Sequence, residues 1–460
     1  MNGRLSELAR ILGAELHGSD GDFSGASIDT RRLPRGALFF ALPGTRVDGH
    51  DFVSRAASLG AAAAVVERAV DSPLPQLQVA SVEAALQKAG ATARSTFDGD
   101  VIGVTGSNGK TTVKQMLAAI LGEAGSVLAT EGNLNNHLGV PLTLLRLDEA
   151  THRAVVEMGA SHAGEIAMLS ELARPTVGVV TNAGWAHLEG FGSREGVARA
   201  KGELFAALAD RGVAVINGDD DYAPLWRTMA GNSRRVVFAR EQGADVDVYA
   251  SDERLGADAS RFTLHTPTGS VDVLLPLAGA HNVSNALAAA AAASAIDLDA
   301  DLIAHALAGM VAVGGRMAVT VGRHGSRVVD DSYNANPGSL AAALNWLGQQ
   351  PGPRWAALGD MGELGAFAED AHRDAGISAR KAGIERLWAT GPMSELTVDA
   401  FGAGGQWFAD HDALNNALLE ALQAADESVT VLVKGSRSAR MDRVADALRV
   451  EATARAGASC

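Results

Sequence analysis

From about residue 98 the chain alternates short, continuously apolar runs with stretches of helical length, and this alternation constrains the fold more than any other feature. The runs at 101–104, 154–156, 177–180 and 213–216 carry apolar residues at consecutive positions, so both faces of each strand must be covered. Helical segments over 110–124, 164–173 and 194–208 separate them and supply that cover. The pattern predicts a parallel sheet between helix layers. It pauses over 235–277, where Val236-Val237-Phe238, Val246-Asp247-Val248-Tyr249 and Val271-Asp272-Val273-Leu274 read as exposed antiparallel strands. An alanine-rich helix from Asn282 closes this part. Gly314-Gly315 reads as a hinge, and strand–helix alternation then restarts. Strands are expected near 328–329, 355–358, 386–389 and 430–433, with helices over 339–347, 369–382, 412–424 and 439–448. That is a second doubly wound, Rossmann-like unit. Before residue 98, strands at 37–42 and 63–67 and a helix over 82–97 form a smaller α/β unit. The reading is an α/β protein of three domains, at 1–97, 98–313 and 314–460, which suits 460 residues at roughly 150 per domain.

Charge and cysteine content narrow the partners. The formal net charge is −15, so a main role in gripping nucleic acid or an anionic membrane is disfavoured. Any anionic ligand must meet a local cluster of Lys and Arg. Cys460 is the single cysteine, which excludes an internal disulfide and a cysteine-based zinc site and fits a reducing cytoplasm. Leu5, Leu8, Ile11 and Leu12 recur at helical spacing among charges, unlike a signal peptide. The most apolar run, 286–296, is about half a membrane span.

The strongest local signal is Val101-Ile102-Gly103-Val104-Thr105-Gly106-Ser107-Asn108-Gly109-Lys110-Thr111-Thr112. An apolar strand enters a glycine-rich turn that opens a helix. Backbone N–H groups of such a turn and the helix N-terminus attract phosphate. Lys110 is placed to reach β- and γ-phosphates and Thr111 to bind Mg2+. The usual first glycine is replaced by Val104, with glycines at 103 and 106 instead.

Thr105-Gly106-Ser107-Asn108-Gly109-Lys110-Thr111-Thr112 resembles the compact phosphate loop of the Mur ligases and folylpolyglutamate synthases. These ATP-dependent enzymes join a carboxylate to an amine through an acyl phosphate. The resemblance extends over essentially the whole chain and makes the central domain an ATPase domain with a P-loop. It implies ATP bound by Gly106, Ser107, Asn108, Gly109, Lys110, Thr111 and Thr112. It also implies Mg2+ held by Thr111, Glu157 at the end of the strand Ala154-Val155-Val156, and His187 in Thr181-Asn182-Ala183-Gly184-Trp185-Ala186-His187. Lys201 matches a lysine that the family carbamylates into an anionic metal ligand, so Lys110, Glu157, His187 and Lys201 form the implied catalytic set. Gly279-Ala280-His281-Asn282 resembles the adenine-side motif, with His281 stacking and Asn282 reading a base edge; Asn282 also reads as a helix cap. Gly314-Gly315-Arg316-Met317 resembles the hinge motif, with Arg316 on the ATP phosphates.

Three further runs bear on the substrate. Asp330-Asp331-Ser332-Tyr333-Asn334-Ala335-Asn336-Pro337 resembles the branch of the family that adds a dipeptide. Branches that build the tripeptide carry an Asp-Tyr-Ala-His-Pro-like run here. Asp331 is assigned to the nucleotide ribose, and Asn334 and Asn336 to the dipeptide side. Lys434 and Arg437, in Val433-Lys434-Gly435-Ser436-Arg437, bring positive charge to the crevice, as Leu358-Gly359-Asp360-Met361-Gly362-Glu363 follows a neighbouring strand. Thr30 and Arg31, with Arg46 and His50, resemble the UDP-holding motif of the first domain. Asn135 and Asn136, in Gly132-Asn133-Leu134-Asn135-Asn136-His137, are read as peptide or sugar contacts. The resemblance implies UDP-N-acetylmuramoyl-tripeptide and D-alanyl-D-alanine as substrates of a cytoplasmic, monomeric enzyme without nucleic-acid or membrane partners. A non-catalytic subunit on the same scaffold is disfavoured, because all four catalytic matches are present and a cysteine zinc ribbon is impossible.

Overall fold

The computed structural model describes residues 1–44, 47–208 and 212–450. Three main sheets follow one another along the chain. The first has five strands in the order Glu15–His17, Gln76–Gln78, Ala63–Val66, Leu38–Phe40 and Ala26–Ser27, parallel except at the Glu15–His17 edge. The helix Val82–Ser95 is capped by Ser81, whose hydroxyl accepts from Ala84 N–H. It leads to the central sheet and packs against the short helix Gly139–Leu144 there, with Gly90 close against Pro141.

The central sheet has nine strands, in the order Gly269–Leu275, Ser260–Thr266, Val248–Leu255, Arg234–Ala239, Val213–Asn217, Val177–Val180, Asp100–Thr105, Arg153–Glu157 and Val127–Ala129. The seven from Val127–Ala129 to Val248–Leu255 run parallel. At the other edge the pairing changes: Ser260–Thr266 is antiparallel to Val248–Leu255, and Gly269–Leu275 is antiparallel to Ser260–Thr266. This corrects the expectation for 236–238, and in part for 246–249, where Val248 is buried and the strand pairs parallel on one side and antiparallel on the other. Arg234–Ala239 is parallel to both neighbours, and Val236, Val237 and Phe238 are buried. Val237 faces one core while Val236 and Phe238 face the other. Three consecutive apolar residues are the mark of a strand covered on both sides, and the helix Ala280–Ser294 supplies one cover.

The third sheet orders Ala318–Val321, Arg327–Asp331, Thr430–Lys434, Arg354–Gly359, Arg386–Thr390 and Gly405–Phe408, with one antiparallel edge pair. Its expected last helix is shorter than the pattern suggests. A single turn, Arg437–Ala439, is separated from Asp442–Leu448 by Arg440 in the left-handed region. Among the described residues no helix is long and apolar enough to cross a membrane.

Register decides what meets at the sheet ends. Glu157 pairs with Val104 and Val180 with Thr105, so the strands leading to Glu157, Gly106 and Thr181 end at one level. In the third sheet Lys434 pairs with both Asp331 and Leu358. Ligands of open parallel sheets bind beyond these carboxyl ends, and here the two sheets present theirs to one cleft.

Candidate active site

The cleft encloses about 1020 Å³ between the central and third sheets. On the central side it is lined by the loop Ser107–Thr112, Asn135, Asn136, Glu157, His187, His281 and Asn282. Facing them are Arg316, Asp331, Asn334, Asn336, Lys434 and Arg437. Gly106 and Lys201 lie behind this lining. Thr30, Arg31 and His50 are on the first sheet's side and do not line it.

The phosphate loop is braced from the next strand. Asn182 Oδ1 accepts from Asn108 N–H (3.0 Å), the Asn182 carbonyl accepts from Ser107 N–H (3.0 Å), and Thr181 Oγ1 donates to the Asn108 carbonyl (2.6 Å). Gly106 and Gly109 are required by shape. Both have left-handed φ, and a Cβ would collide with Thr181 Oγ1 at the first and Asn285 Oδ1 at the second. The brace changes the expected cradle. The N–H groups of Ser107 and Asn108 are taken, which leaves those of the first helical turn, Lys110 to Thr112, to face an anion. Lys110 Nζ folds over the loop onto the carbonyls of Gly106 (2.7 Å) and Ser107 (3.1 Å). Enclosure pulls its pKa below the usual lysine value, with the charge of Arg316 acting the same way and Glu157 opposing.

Glu157 is 2% exposed. Its Oε1 accepts from Asn135 Nδ2 (2.8 Å), and Lys114 Nζ lies 3.4 Å from Oε2. That contact lacks hydrogen-bond geometry, so Oε2 is a buried oxygen with no hydrogen-bond partner. An unsatisfied buried carboxylate oxygen is costly and suits a cation. With Thr111 lining the same cleft, the residues present fit Mg2+. His187, in the left-handed region at φ 54°, directs Nδ1 to Glu363 Oε2 (2.5 Å). This bond holds the Glu363 carboxyl below its usual pKa. No three His, Cys, Asp or Glu side chains form a ready-made metal cage among the described residues.

Lys201 is 1% exposed, and its Nζ donates to the Ala160 carbonyl (3.2 Å) above the Phe191 ring. Burial, reinforced by the charge of Lys110, pulls its pKa down to about 7. Half of such amines are neutral, and therefore nucleophilic, near pH 7.

On the facing side Arg316 Nη2 donates to Thr111 Oγ1 (2.9 Å), which carries a third-sheet cation to the phosphate loop. Lys434 Nζ pairs with Asp331 Oδ2 (2.5 Å) and donates to the Asn334 carbonyl (2.9 Å). Asn336 caps the helix Pro337–Gly348 in a capping box while its Nδ2 donates to Asn108 Oδ1 (2.7 Å). Burial pulls the pKa of His281 below its usual value, so the ring that lines the cleft is neutral. Asn282 is not the helix cap. Gly279 is, and the Asn282 amide bonds the Ala278 carbonyl and Asn285.

The first-sheet residues are engaged otherwise. Arg31 pairs with Asp29. His50 is buried, with Nδ1 on Asp48 (2.7 Å) and Nε2 accepting from Glu67 N–H (2.9 Å), so both ring nitrogens serve the fold rather than a ligand. Asn136 Oδ1 is spent on Leu138 and Gly139 N–H. Arg46 lies outside the described residues. The sequence reading missed Lys114, and it named Glu363 only within a run at the crevice, without a role. Lys114 is fully buried one turn beyond Lys110, and a lysine on the inner face of a helix was the available signal.

With this geometry in place, comparison with known proteins is decisive. Family descriptions match as Mur ligase middle domain (residues 104–293), Mur ligase, glutamate ligase domain (315–437) and Mur ligase family, catalytic domain (22–121). A UDP-N-acetylmuramoyl-tripeptide–D-alanyl-D-alanine ligase of Escherichia coli is 45% identical, over 98% of this chain and 99% of that protein. The chain belongs to the Mur ligase family. This Mur ligase is also similar to the enzyme of the same description from Mycobacterium bovis, at 38% identity over 92% of each chain. Among solved structures it resembles MurF from Acinetobacter baumannii, with a TM-score of 0.90 and 34% identity over 96% of this chain and 98% of that one. It also resembles the MurF ligase from Thermotoga maritima in complex with ADP, with a TM-score of 0.81 and 29% identity over 92% and 96%.

Proposed function

We infer that this Mur ligase joins D-alanyl-D-alanine to UDP-N-acetylmuramoyl-tripeptide with ATP, giving the UDP-linked pentapeptide, ADP and phosphate in peptidoglycan precursor synthesis. The observation that carries the reading is the meeting of Arg316, Asn336 and Glu363 from the third sheet with Thr111, Asn108 and His187 of the central one. One cleft thereby holds a phosphate loop on one wall and a second cationic wall opposite. A two-substrate ligation through an acyl phosphate needs that arrangement.

The terminal carboxylate of the tripeptide attacks the γ-phosphorus, and ADP leaves. The dipeptide amine then attacks the acyl carbon, loses a proton, and phosphate departs. For the first step the protein positions groups and neutralises charge rather than reacting covalently. Lys110 and the first-turn N–H groups face the phosphates, and Arg316 reaches them from the other wall. Mg2+, held by Thr111, Glu157, His187 and a carbamate on Lys201, would offset charge on the transferring phosphoryl group. The carbamate forms when the neutral Lys201 amine adds to CO2 and releases a proton. It lengthens the side chain and turns a cation into an anionic oxygen ligand.

We assign the domains as 1–97 for the UDP end, 98–313 for ATP and 314–460 for the dipeptide, with Asp331 and His281 at the nucleoside and Asn135, Asn334, Lys434 and Arg437 at the peptides. Arg31 and Thr30 remain on the UDP side; His50 supports that side through Asp48. The substrates are water-soluble, which suits a cytoplasmic reaction, and one chain supplies both walls of the cleft, which suits a monomer. Phosphate release with UDP-tripeptide and ATP should require D-alanyl-D-alanine and be accompanied by pentapeptide. Release that is indifferent to the dipeptide would reject the reading.

A further inference from the structure

The aromatic ring of Tyr333 has no part in the chemistry just described, yet two of the cleft's cations converge on it. The guanidinium of Arg316 lies 4.2 Å from the ring centroid and that of Arg437 lies 5.6 Å away. The two arginines come from different elements, one from the glycine connector before the third sheet and the other from the loop after the strand Thr430–Lys434. Tyr333 itself follows the strand Arg327–Asp331 and lines the cleft. Its N–H donates to the Gly315 carbonyl (3.0 Å), and Gly315, at φ +75°, passes so near that a Cβ would stand 3.2 Å from Tyr333 Cβ.

Two like charges gathered at one place repel, and each arginine side chain must give up substantial rotamer freedom to be held there. An electron-rich ring face counters both effects. It attracts each guanidinium and gives it a plane on which to lie. Arg316 is thereby held where its Nη2 reaches Thr111 Oγ1 at the start of the phosphate-loop helix. We propose that Tyr333 is a positioning residue whose ring, not its hydroxyl, pre-orders Arg316 and Arg437 for the polyphosphate and for the anionic end of the incoming substrate. The proposal rests on the ATP reading of the cleft, which it extends to a residue that the mechanism above does not use.

Calorimetric titration of the purified full chain with a non-hydrolysable ATP analogue and Mg2+ tests it. Tyr333→Phe should bind within about twofold of the wild type. Tyr333→Leu, similar in bulk but without a π face, should bind about tenfold more weakly, in line with a partly desolvated cation–π contact. Replacing Tyr333 with phenylalanines of increasing fluorination keeps the shape while draining the ring of electron density. Affinity should fall step by step along that series, which a packing role alone cannot produce and which does not require Tyr333→Leu to fold. A flat fluorination series, or a loss in Tyr333→Phe as large as in Tyr333→Leu, overturns the proposal while wild-type binding stands. Absence of analogue binding by the wild type would overturn the ATP reading itself, and the proposal with it.

Discussion

Lys110 and Lys114 stand one helical turn apart and do opposite work. Lys110 bonds only carbonyls of its own loop, so little of the core depends on it. Lys110→Ala should unfold at the same temperature as the wild type yet lose at least ~100-fold in rate, as expected when a preorganised transition-state contact is removed. Lys114 is fully buried against Glu157 and also donates to the Gly132 carbonyl (3.2 Å). Removing one member of a buried pair strands the other, so Lys114→Met should cost about 3 kcal/mol in denaturant unfolding. Stability unchanged in that variant would show that Glu157 does not need its partner. Lys201 adds a pH signature. Its pKa of about 7 lies far below that of an exposed lysine, so the reactive neutral amine is plentiful above pH 7 and scarce well below it. With 13C-labelled bicarbonate, a carbamate resonance should be strong at pH 8, fade below about pH 7, and be missing in Lys201→Met.

At the scale of elements, the strands and helices of the parallel sheets were legible because continuous apolar runs and helical spacing are local properties. The strand Arg234–Ala239 was misread for want of a partner; its apolar run was visible, but which strand it would join was not. His50 shows the same limit in a site. Its residue type and neighbours suggest ligand binding, but Asp48 and Glu67 N–H occupy both nitrogens, and Glu67 is seventeen residues away. The pairing of Glu363 with His187 crosses two sheets and has no local trace. Asn336 combines a local role with a distant one. The sequence reading assigns Asn336 to the dipeptide side; the structure gives it a capping box with Ser339, three residues on, and a bond to Asn108 that no local pattern marks. Asn336→Ala should therefore lower stability by about 1 kcal/mol through the lost cap, and should also weaken analogue binding. Asn336→Ser, which keeps the cap but cannot span to Asn108, should restore stability without restoring affinity.

Across the whole molecule the two joints differ in kind. Between the first and central sheets, the buried guanidinium of Arg94 donates to the carbonyls of Ala173 (2.7 Å), Phe97 and Arg174 (2.9 Å), and Gly90 lies against Pro141. Close packing plus a buried cation bonded to three carbonyls makes a stiff joint. Between the central and third sheets many contacts are polar: Arg316 to Thr111, Asn336 to Asn108, Glu363 to His187 and Arg327 to Asp258, beside a backbone bond from Glu189 N–H to the Glu363 carbonyl (3.3 Å), an apolar cluster shared by both sides, and Trp185 edge-on to Phe367 at 6.3 Å. The polar contacts exchange readily with water, and the connector there contains Gly314, where an added Cβ would meet open space. An acyl phosphate must be shielded from water, so this second joint should open for entry and close for reaction. Spin labels at the exposed positions Arg10, Glu149 and Glu427, with Cys460 replaced by Ser, separate the two motions. The Arg10–Glu149 distance should stay fixed under all conditions. The Glu149–Glu427 distance should be broad in the free enzyme and collapse to one narrow population with ATP analogue and UDP-tripeptide together. Movement in the first pair would reject the stiff joint, and an identical narrow second pair with and without ligands would reject the hinge at Gly314-Gly315.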